Sequence, residues 1–219
     1  MRSRSTWALL FLFPAVAAAD GGGSVVVGAP RGALGEQASV AGGLAGHAVF
    51  PSASPVLSLR LEGSWLLYGT ETVRVPLART AGRINREITT DNWIAQLGIG
   101  PQLVLPLRAV RPYVHGFAGV SYLSTTSQLR DPDGFVSATS TNYDDTAFAY
   151  GGGGGLLVPL RGRGTSLDLG VRYVRTGSVR FLGEGDLVSA DGGVRAVPHR
   201  GHADMLEFRV GLAFGQRPR

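Results

Sequence analysis

Near its C-terminus the chain alternates, residue by residue, between bulky apolar side chains and small or charged ones. One face of this segment carries Leu206, Phe208, Val210, Leu212 and Phe214, and the other carries Glu207, Arg209, Gly211 and Ala213. A period of two places successive side chains on opposite faces of a strand, whereas a helix repeats about every 3.6 residues. The segment is therefore predicted to be a β-strand with one apolar face and one that holds opposite charges.

The same period recurs along the chain and predicts eight strands. The segments are 24–28, 39–50, 56–68, 92–105, 113–123, 146–158, 167–173 and 206–214, of which 24–28 is short and the facing of 113–123 is ambiguous. Short links at 51–55, 106–111 and 159–165 alternate with longer ones at about 70–91, 126–145 and 183–203, and the link at 29–37 takes the remaining position on the side of the longer ones. Short turns at one end and long loops at the other are typical of an all-β, antiparallel, up-and-down transmembrane β-barrel.

The charged faces decide whether such a barrel is soluble or embedded in lipid. Three pairs lie opposite aliphatic rows: Arg60 with Glu62, Asp168 with Arg172, and Glu207 with Arg209. In a soluble barrel the aliphatic rows would fill the interior, and in a membrane barrel the charges would. The polar faces are rich in Gly, Ala, Ser and Gln, and the chain contains no lysine, which is unusual for a solvated face. These features favour the membrane arrangement, and a soluble lipocalin-like barrel remains as an alternative.

Aromatic residues near the strand ends favour the same arrangement. They are Trp65, Tyr68, Trp93, Tyr113, Tyr122, Phe148, Tyr150, Tyr173, Phe208 and Phe214. Membrane barrels carry aromatic girdles at the two lipid–water interfaces. We therefore expect these rings to lie on the outer face at the borders of the apolar belt.

The interior of an eight-stranded barrel is just wide enough to be filled by side chains. We expect a packed polar core in which opposite charges pair, because an unpaired buried charge is strongly destabilising. The predicted lumen network consists of Arg60, Glu62, Gln96, Gln102, Asp168, Arg172, Glu207 and Arg209. We also expect His47, His115 and Ser121 to face inward. A wide pore is therefore not expected.

The N-terminus has the pattern of a secretory signal peptide. Arg2 and Arg4 precede a short apolar core, and Ala17-Ala18-Ala19 supplies a small-residue cleavage pattern before Asp20. We assign 1–19 to the signal peptide and 20–219 to the barrel domain. The apolar core is shorter than the roughly 20 residues that a membrane-spanning helix needs.

Two segments are similar to sequences of known membrane barrels. One is Pro112-Tyr113-Val114 leading into Gly116-Phe117-Ala118-Gly119-Val120, and the other is Arg209-Val210-Gly211-Leu212-Ala213-Phe214. The chain resembles the small outer-membrane barrels of the OmpA-like and OmpX/Ail-like families over about 22–216. The resemblance implies an integral outer-membrane protein, surrounded by lipid and lipopolysaccharide, whose residues Gly211, Leu212 and Phe214 are read by the barrel assembly machinery. The chain departs from these families in that 215–219 follow Phe214.

The sequence offers little for catalysis, metals or nucleic acid. His115 and Ser121 share a face but are six positions apart, about 20 Å along a strand, which is too far for a nucleophile and its base. His199 and His202, near Asp204, are predicted to lie in a solvated loop without a complete metal site. There is no cysteine, and the arginines are dispersed rather than clustered for nucleic acid. We expect no enzyme and no cofactor; a lipid A-modifying hydrolase and a narrow porin-like channel remain as alternatives.

The long loops are the predicted sites of interaction. Asp131-Pro132-Asp133-Gly134 is a strong turn signal between stretches rich in Ser, Thr and Val. One hypothesis is that the fifth and sixth strands continue beyond the membrane as a protruding hairpin, and the alternative is a loop without a specific role. The edges of the hairpin could pair with an extracellular protein. Arg74, Arg79, Arg83 and Arg86 either contact lipopolysaccharide phosphates or are solvated beside Glu71 and Glu87. We expect a monomer with a structural or surface-interaction role.

Overall fold

The computed structural model of the chain describes residues 20–77, 84–107, 109–130, 136–160, 164–181, 187–190, 193–196 and 199–215. The predicted signal peptide and the turn at 131–134 lie outside the described residues. Eight long strands form the wall: β1 Asp20–Arg31, β2 Ala41–Pro51, β3 Leu57–Leu77, β4 Ile84–Val104, β5 Arg111–Arg130, β6 Val136–Pro159, β7 Thr165–Thr176 and β11 His199–Phe214. The smaller elements are α1 Gly32–Gln37, β8 Ser178–Phe181, β9 Leu187–Ala190 and β10 Gly193–Ala196.

The wall is a closed, all-antiparallel barrel. Each long strand pairs with its neighbours in sequence, and β1 pairs with both β2 and β11, so that Val25 lies opposite Leu44 on one side and Val210 on the other. The predicted eight-stranded architecture is confirmed. The predicted first strand, 24–28, is too short, because β1 is hydrogen-bonded on both sides over most of its length.

The two ends of the barrel differ, as the link lengths predicted. The turn end holds the start of β1, the end of β11 and the short connections β2–β3, β4–β5 and β6–β7. The loop end holds the remaining connections. There the chain leaves β1 at Gly32, whose φ of 62° suits glycine, and α1 leads into β2.

Four strands continue past the barrel at the loop end as one sheet. β3 and β4 stay paired from Thr70–Asp91 to Leu77–Ile84, so the prediction of a loop at 70–91 is wrong. The predicted hairpin is confirmed, since β5 and β6 pair from Thr125–Tyr143 to Arg130–Val136. β4 and β5 also pair over this part. We call residues 69–77, 84–92, 124–130 and 136–145 the projecting sheet.

The connection between β7 and β11 also contains more regular structure than the sequence predicted. β8 pairs with the beginning of β11, with Phe181 opposite His199 and Ser178 opposite His202. Both histidines therefore lie on a strand, and their assignment to a loop is wrong. The error arose because the apolar alternation stops at Leu206, although the backbone ladder of β11 continues to His199.

Burial is inverted relative to a soluble barrel. Aliphatic side chains such as Val210 and Leu97 are 57% and 54% exposed on the outer face, whereas Arg172 and Glu207 are enclosed in the lumen. The ambiguous segment 113–123 turns His115 and Ser121 inward, as expected. Within the described part of the chain, no helix is long and apolar enough to cross a membrane.

Candidate functional site

Glu62 is the centre of the charge network inside the barrel. Its carboxylate accepts hydrogen bonds from Arg60 Nε at 2.9 Å, Arg172 Nη1 at 2.6 Å and Arg209 Nη1 at 3.3 Å. His115 Nε2 lies 3.5 Å from the same carboxylate. These residues come from β3, β5, β7 and β11, so one carboxylate ties together strands from different parts of the wall.

Arg172 of β7 extends the network to side chains on β3, β4 and β11. Its Nε and Nη2 bind both oxygens of Glu207, at 2.7 and 3.0 Å. Nη2 also donates to Ser64 Oγ at 2.8 Å and Gln96 Oε1 at 2.6 Å. The planar guanidinium has five donors in a fixed fork, which suits it to join several acceptors at once. Its central carbon lies 5.3 Å from the centre of the Phe117 ring.

A second polar layer lies nearer the turn end. Tyr113 donates to Asp168 Oδ1 at 2.7 Å, and Arg60 Nη1 donates to Gln102 Oε1 at 2.8 Å. Tyr113 is thus buried in the lumen, and its assignment to an outer aromatic girdle is wrong. Gly155 makes room for it, because a Cβ there would lie 2.6 Å from the phenol oxygen.

The eight residues predicted for the lumen network all lie on the inner face and are buried. Three arginines (60, 172 and 209) balance three carboxylates (62, 168 and 207), giving a formal sum of +3 − 3 = 0. His47 is also buried there, with Gly22 against its ring. The formal charges of the lumen therefore cancel, and Asp168 is held by the hydroxyl of Tyr113.

The loop end of the lumen contains an apolar cluster, which the expectation of a packed polar core missed. A single buried cluster contains Val26, Leu34, Ala41, Leu66, Tyr68, Ile94, Leu123, Val179, Phe181, Ala203 and Met205; we call it the loop-end cluster. Leu34 comes from α1 and Phe181 from β8, so both elements fold over the mouth of the barrel. Tyr68 is therefore not a girdle residue either. The available signal was parity, since Leu66 and Tyr68 continue the inward row of Glu62 and Ser64.

The arrangement offers no catalytic or metal constellation among the described residues. His115 is held between Glu62 and Arg209, whereas Ser121 lies six positions further along β5, level with Gln96. Neither reaches the lipid-facing surface, since both are buried. His199 and His202 form no group of three or more metal-binding side chains in the part of the chain that the structure describes.

The C-terminal residues expected to serve as an assembly signal lie on the last strand. Leu212 and Phe214 point outward and are exposed, whereas Gly211 packs against Ser24 of β1, where a Cβ would lie 2.5 Å from the serine side chain. The outward pair belongs to the same apolar face as Val210 and Phe208.

A closed barrel with an exposed aliphatic belt and a neutral, charge-paired interior is the architecture of a transmembrane β-barrel. Burying charges while exposing Leu, Val and Phe would be unfavourable in water and is favourable when lipid surrounds the wall. The expected resemblance to small eight-stranded membrane barrels is confirmed for the fold.

No protein-family model matches the chain, and no curated sequence matches it significantly. Among solved structures, it is similar to Ail, the attachment invasion locus protein of Yersinia pestis, with 10% identity, a TM-score of 0.46, and coverage of 90% of this chain and 96% of that one.

Two further structures have comparable similarity. Neisserial surface protein A has 12% identity and a TM-score of 0.45, over 90% of this chain and 96% of that one. A major outer membrane protein from Thermus thermophilus has 16% identity and a TM-score of 0.43, over 90% of this chain and 98% of that one. Any functional conclusion therefore has to come from this chain's own residues.

Proposed function

We propose that this protein is a non-enzymatic integral outer-membrane protein that acts by surface interaction. The barrel anchors it, and the projecting sheet presents strand edges to a protein partner outside the cell. The signal peptide would be cleaved before the barrel assembly machinery inserts the chain, reading Gly211, Leu212 and Phe214. The start of β1 and the end of β11 would then lie on the periplasmic side, and the loop end would face outward.

The dimensions of the belt support insertion in a membrane. On β11 the outward apolar residues begin at Leu206 and end at Phe214, and the segment that they span is nine residues long. A tilted transmembrane strand needs about 9–11 residues. The belt is therefore long enough to cross the hydrocarbon core but leaves the projecting sheet outside it.

The projecting sheet is the observation that carries the proposed interaction. The pairing of β2 with β3 ends at Leu67, and the pairing of β6 with β7 begins at Ala149. Within the described pairings, the outer edges of 70–77 and 136–144 have no neighbouring strand. Eight residues of β3 amount to about 26 Å of strand. Exposed edges of this kind can accept an added strand through backbone hydrogen bonds.

A channel and a lipid hydrolase find less support. The loop-end cluster occupies the mouth of the lumen, and Arg172 fills the centre with five hydrogen bonds. The histidine and serine that a hydrolase would need are buried in the interior, away from the lipid acyl chains. These observations favour an anchor for a surface element over a conduit or an enzyme.

Membrane fractionation of expressing cells, with a heated-versus-unheated gel shift, tests the anchoring. The interaction is tested by a variant in which β3 joins β4, and β5 joins β6, through short turns just above the belt. Cells that display this variant should lose binding to immobilised extracellular proteins that the complete protein binds, while the gel shift is retained. Equal binding by the two proteins would overturn the proposed role of the sheet.

A matched control keeps the projecting sheet at its full length and changes a single side chain. Exchanging the exposed Thr72 for Ser leaves the strand edges in place, so binding should persist. Recovery of the complete protein in the soluble fraction, without a heat-dependent shift, would contradict the anchoring itself.

A further inference from the structure

The outer face of the β7–β11–β1 wall changes abruptly in character at the upper border of the belt. Below the border the facing residues are apolar, with Tyr173 opposite Leu206 and Leu206 opposite Ala29. Two positions further along the strands, Arg31 of β1 lies opposite Asp204 of β11. Arg175 of β7 flanks the same aspartate, with Nε 3.9 Å from Oδ2. Two arginines thus border one carboxylate at the loop-end border of the apolar belt.

A second cationic row lies above the first on the same outer face. Arg180 of β8 is directly opposite Arg200 of β11. Like charges at such a position in a sheet repel each other and are destabilising. Arg180 Nε is 3.8 Å from Asp145, and Arg200 Nε donates to Ser178 at 3.3 Å. Both guanidinium groups are open to solvent, since the Arg180 side chain is 59% exposed and Arg200 is exposed as well.

The patch is cationic after its acids are counted. The four arginines are 31, 175, 180 and 200, and the carboxylates beside them are Asp145 and Asp204, so the sum is +4 − 2 = +2. The rows are four residues apart on β11, about 13 Å along the strand. At the same height on β3–β6, the ionised residues whose side chains are described are the acids Glu71, Asp91, Asp144 and Asp145. At this height of the outer face, the described arginine side chains therefore all lie on one wall.

We propose that this patch binds the phosphate groups of an outer-leaflet glycolipid, with one phosphate on each arginine row. Arginine forms bidentate, charge-assisted hydrogen bonds with phosphate, and a bridging anion would relieve the repulsion between Arg180 and Arg200. Because the patch continues the lipid-facing belt upward, a lipid whose chains pack on Tyr173, Leu206 and Ala29 brings its headgroup to the arginines. The proposal rests on the proposed function, which places the loop end at the outer leaflet.

The test uses the complete mature protein, refolded into phosphatidylcholine vesicles, and measures binding of diphosphorylated lipid A. We expect R31Q/R175Q and R180Q/R200Q each to weaken binding at least about ten-fold. R111Q removes an arginine charge at the turn end and should leave binding unchanged. A monophosphorylated lipid A should bind more weakly than the diphosphorylated one, because it engages a single row.

Inorganic phosphate separates a lipid site from a simple anion site. At millimolar concentration it should not displace the lipid, and displacement at that concentration would overturn the proposal. Wild-type affinity in both double variants would also overturn it. If one double variant fails to refold, the other supplies the same comparison. The gel shift, followed in parallel, reports barrel insertion, so its absence from the wild type would contradict the proposed function instead.

Discussion

Replacing Arg172 by Met tests whether the lumen network holds the barrel together. The side chain is 2% exposed and supplies every described hydrogen bond of the Glu207 carboxylate, which is itself fully buried. Glu62 would keep Arg60 and Arg209, whereas Glu207 would be left as an uncompensated charge. Removing one partner of a buried ion pair costs about 3–5 kcal/mol. We expect R172M to lose that amount of unfolding free energy.

The assay is equilibrium unfolding by urea in phosphatidylcholine vesicles, followed by the fluorescence of Trp65 and Trp93. With a slope of about 2–3 kcal/mol/M, the midpoint should fall by about 1–2.5 M. R175M is the matched control, because the pair that Arg175 forms with Asp204 is long and 55% exposed on the arginine side. Exposed pairs contribute about 0–1 kcal/mol, so this variant should unfold almost like the wild type.

A double variant identifies the cause of the loss. R172M/E207Q removes both charges, and the interaction energy from the mutant cycle should be about 2–3 kcal/mol. Equal midpoints for R172M and R175M would refute the account of the lumen. A double variant whose loss equals the sum of the single losses would show that the stranded carboxylate is not the source of the instability.

Three other predictions follow from the same geometry. Val210→Arg, at the middle of the belt, should lower the free energy of unfolding by about 2–4 kcal/mol in the same assay, and Phe214→Arg, at the border of the belt, by about 0–1 kcal/mol. Equal losses for the two variants would contradict the assigned depths of these residues in the membrane. Planar bilayers with the wild-type protein should show no stable conductance steps because the loop-end cluster fills the mouth, and regular steps would contradict this packing. Amides of 125–130 and 138–143 should be protected from hydrogen exchange for minutes, whereas exchange at unstructured rates would contradict the paired projecting sheet.

The sequence predicts the barrel well because lipid outside and charge inside impose a strict period of two. Every second residue from Leu206 to Phe214 can be assigned to the outer face without any knowledge of neighbours, and the same alternation places Arg172 and Glu207 in the lumen. The pairing partners within that lumen are not predictable in this way. That Glu62 contacts Arg209 on the last strand depends on how the barrel closes.

Two features escaped prediction because they depend on tertiary packing. Tyr113 looks like an interfacial aromatic residue in the sequence. In the structure it lies opposite Gly155, which leaves space for the ring inside the barrel, and Asp168 accepts a hydrogen bond from its hydroxyl. The apolar mouth depends on Leu34 and Phe181, which belong to connections rather than to the alternating strands. The strands at 70–77 and 84–91 were missed for another reason: charged residues interrupt the Thr- and Val-rich pattern that favours strands.

The central claim is that the apolar side chains of the wall point outward into lipid, and the environment of position 210 tests it most directly. The chain has no native cysteine to interfere with labelling. A nitroxide attached to Val210→Cys in vesicles should collide readily with oxygen dissolved in the bilayer and hardly at all with a water-soluble nickel chelate. The account predicts that result together with a requirement for detergent or lipid. A label at Val210 shielded from both reagents, in a protein that is monodisperse in plain buffer, would contradict the account.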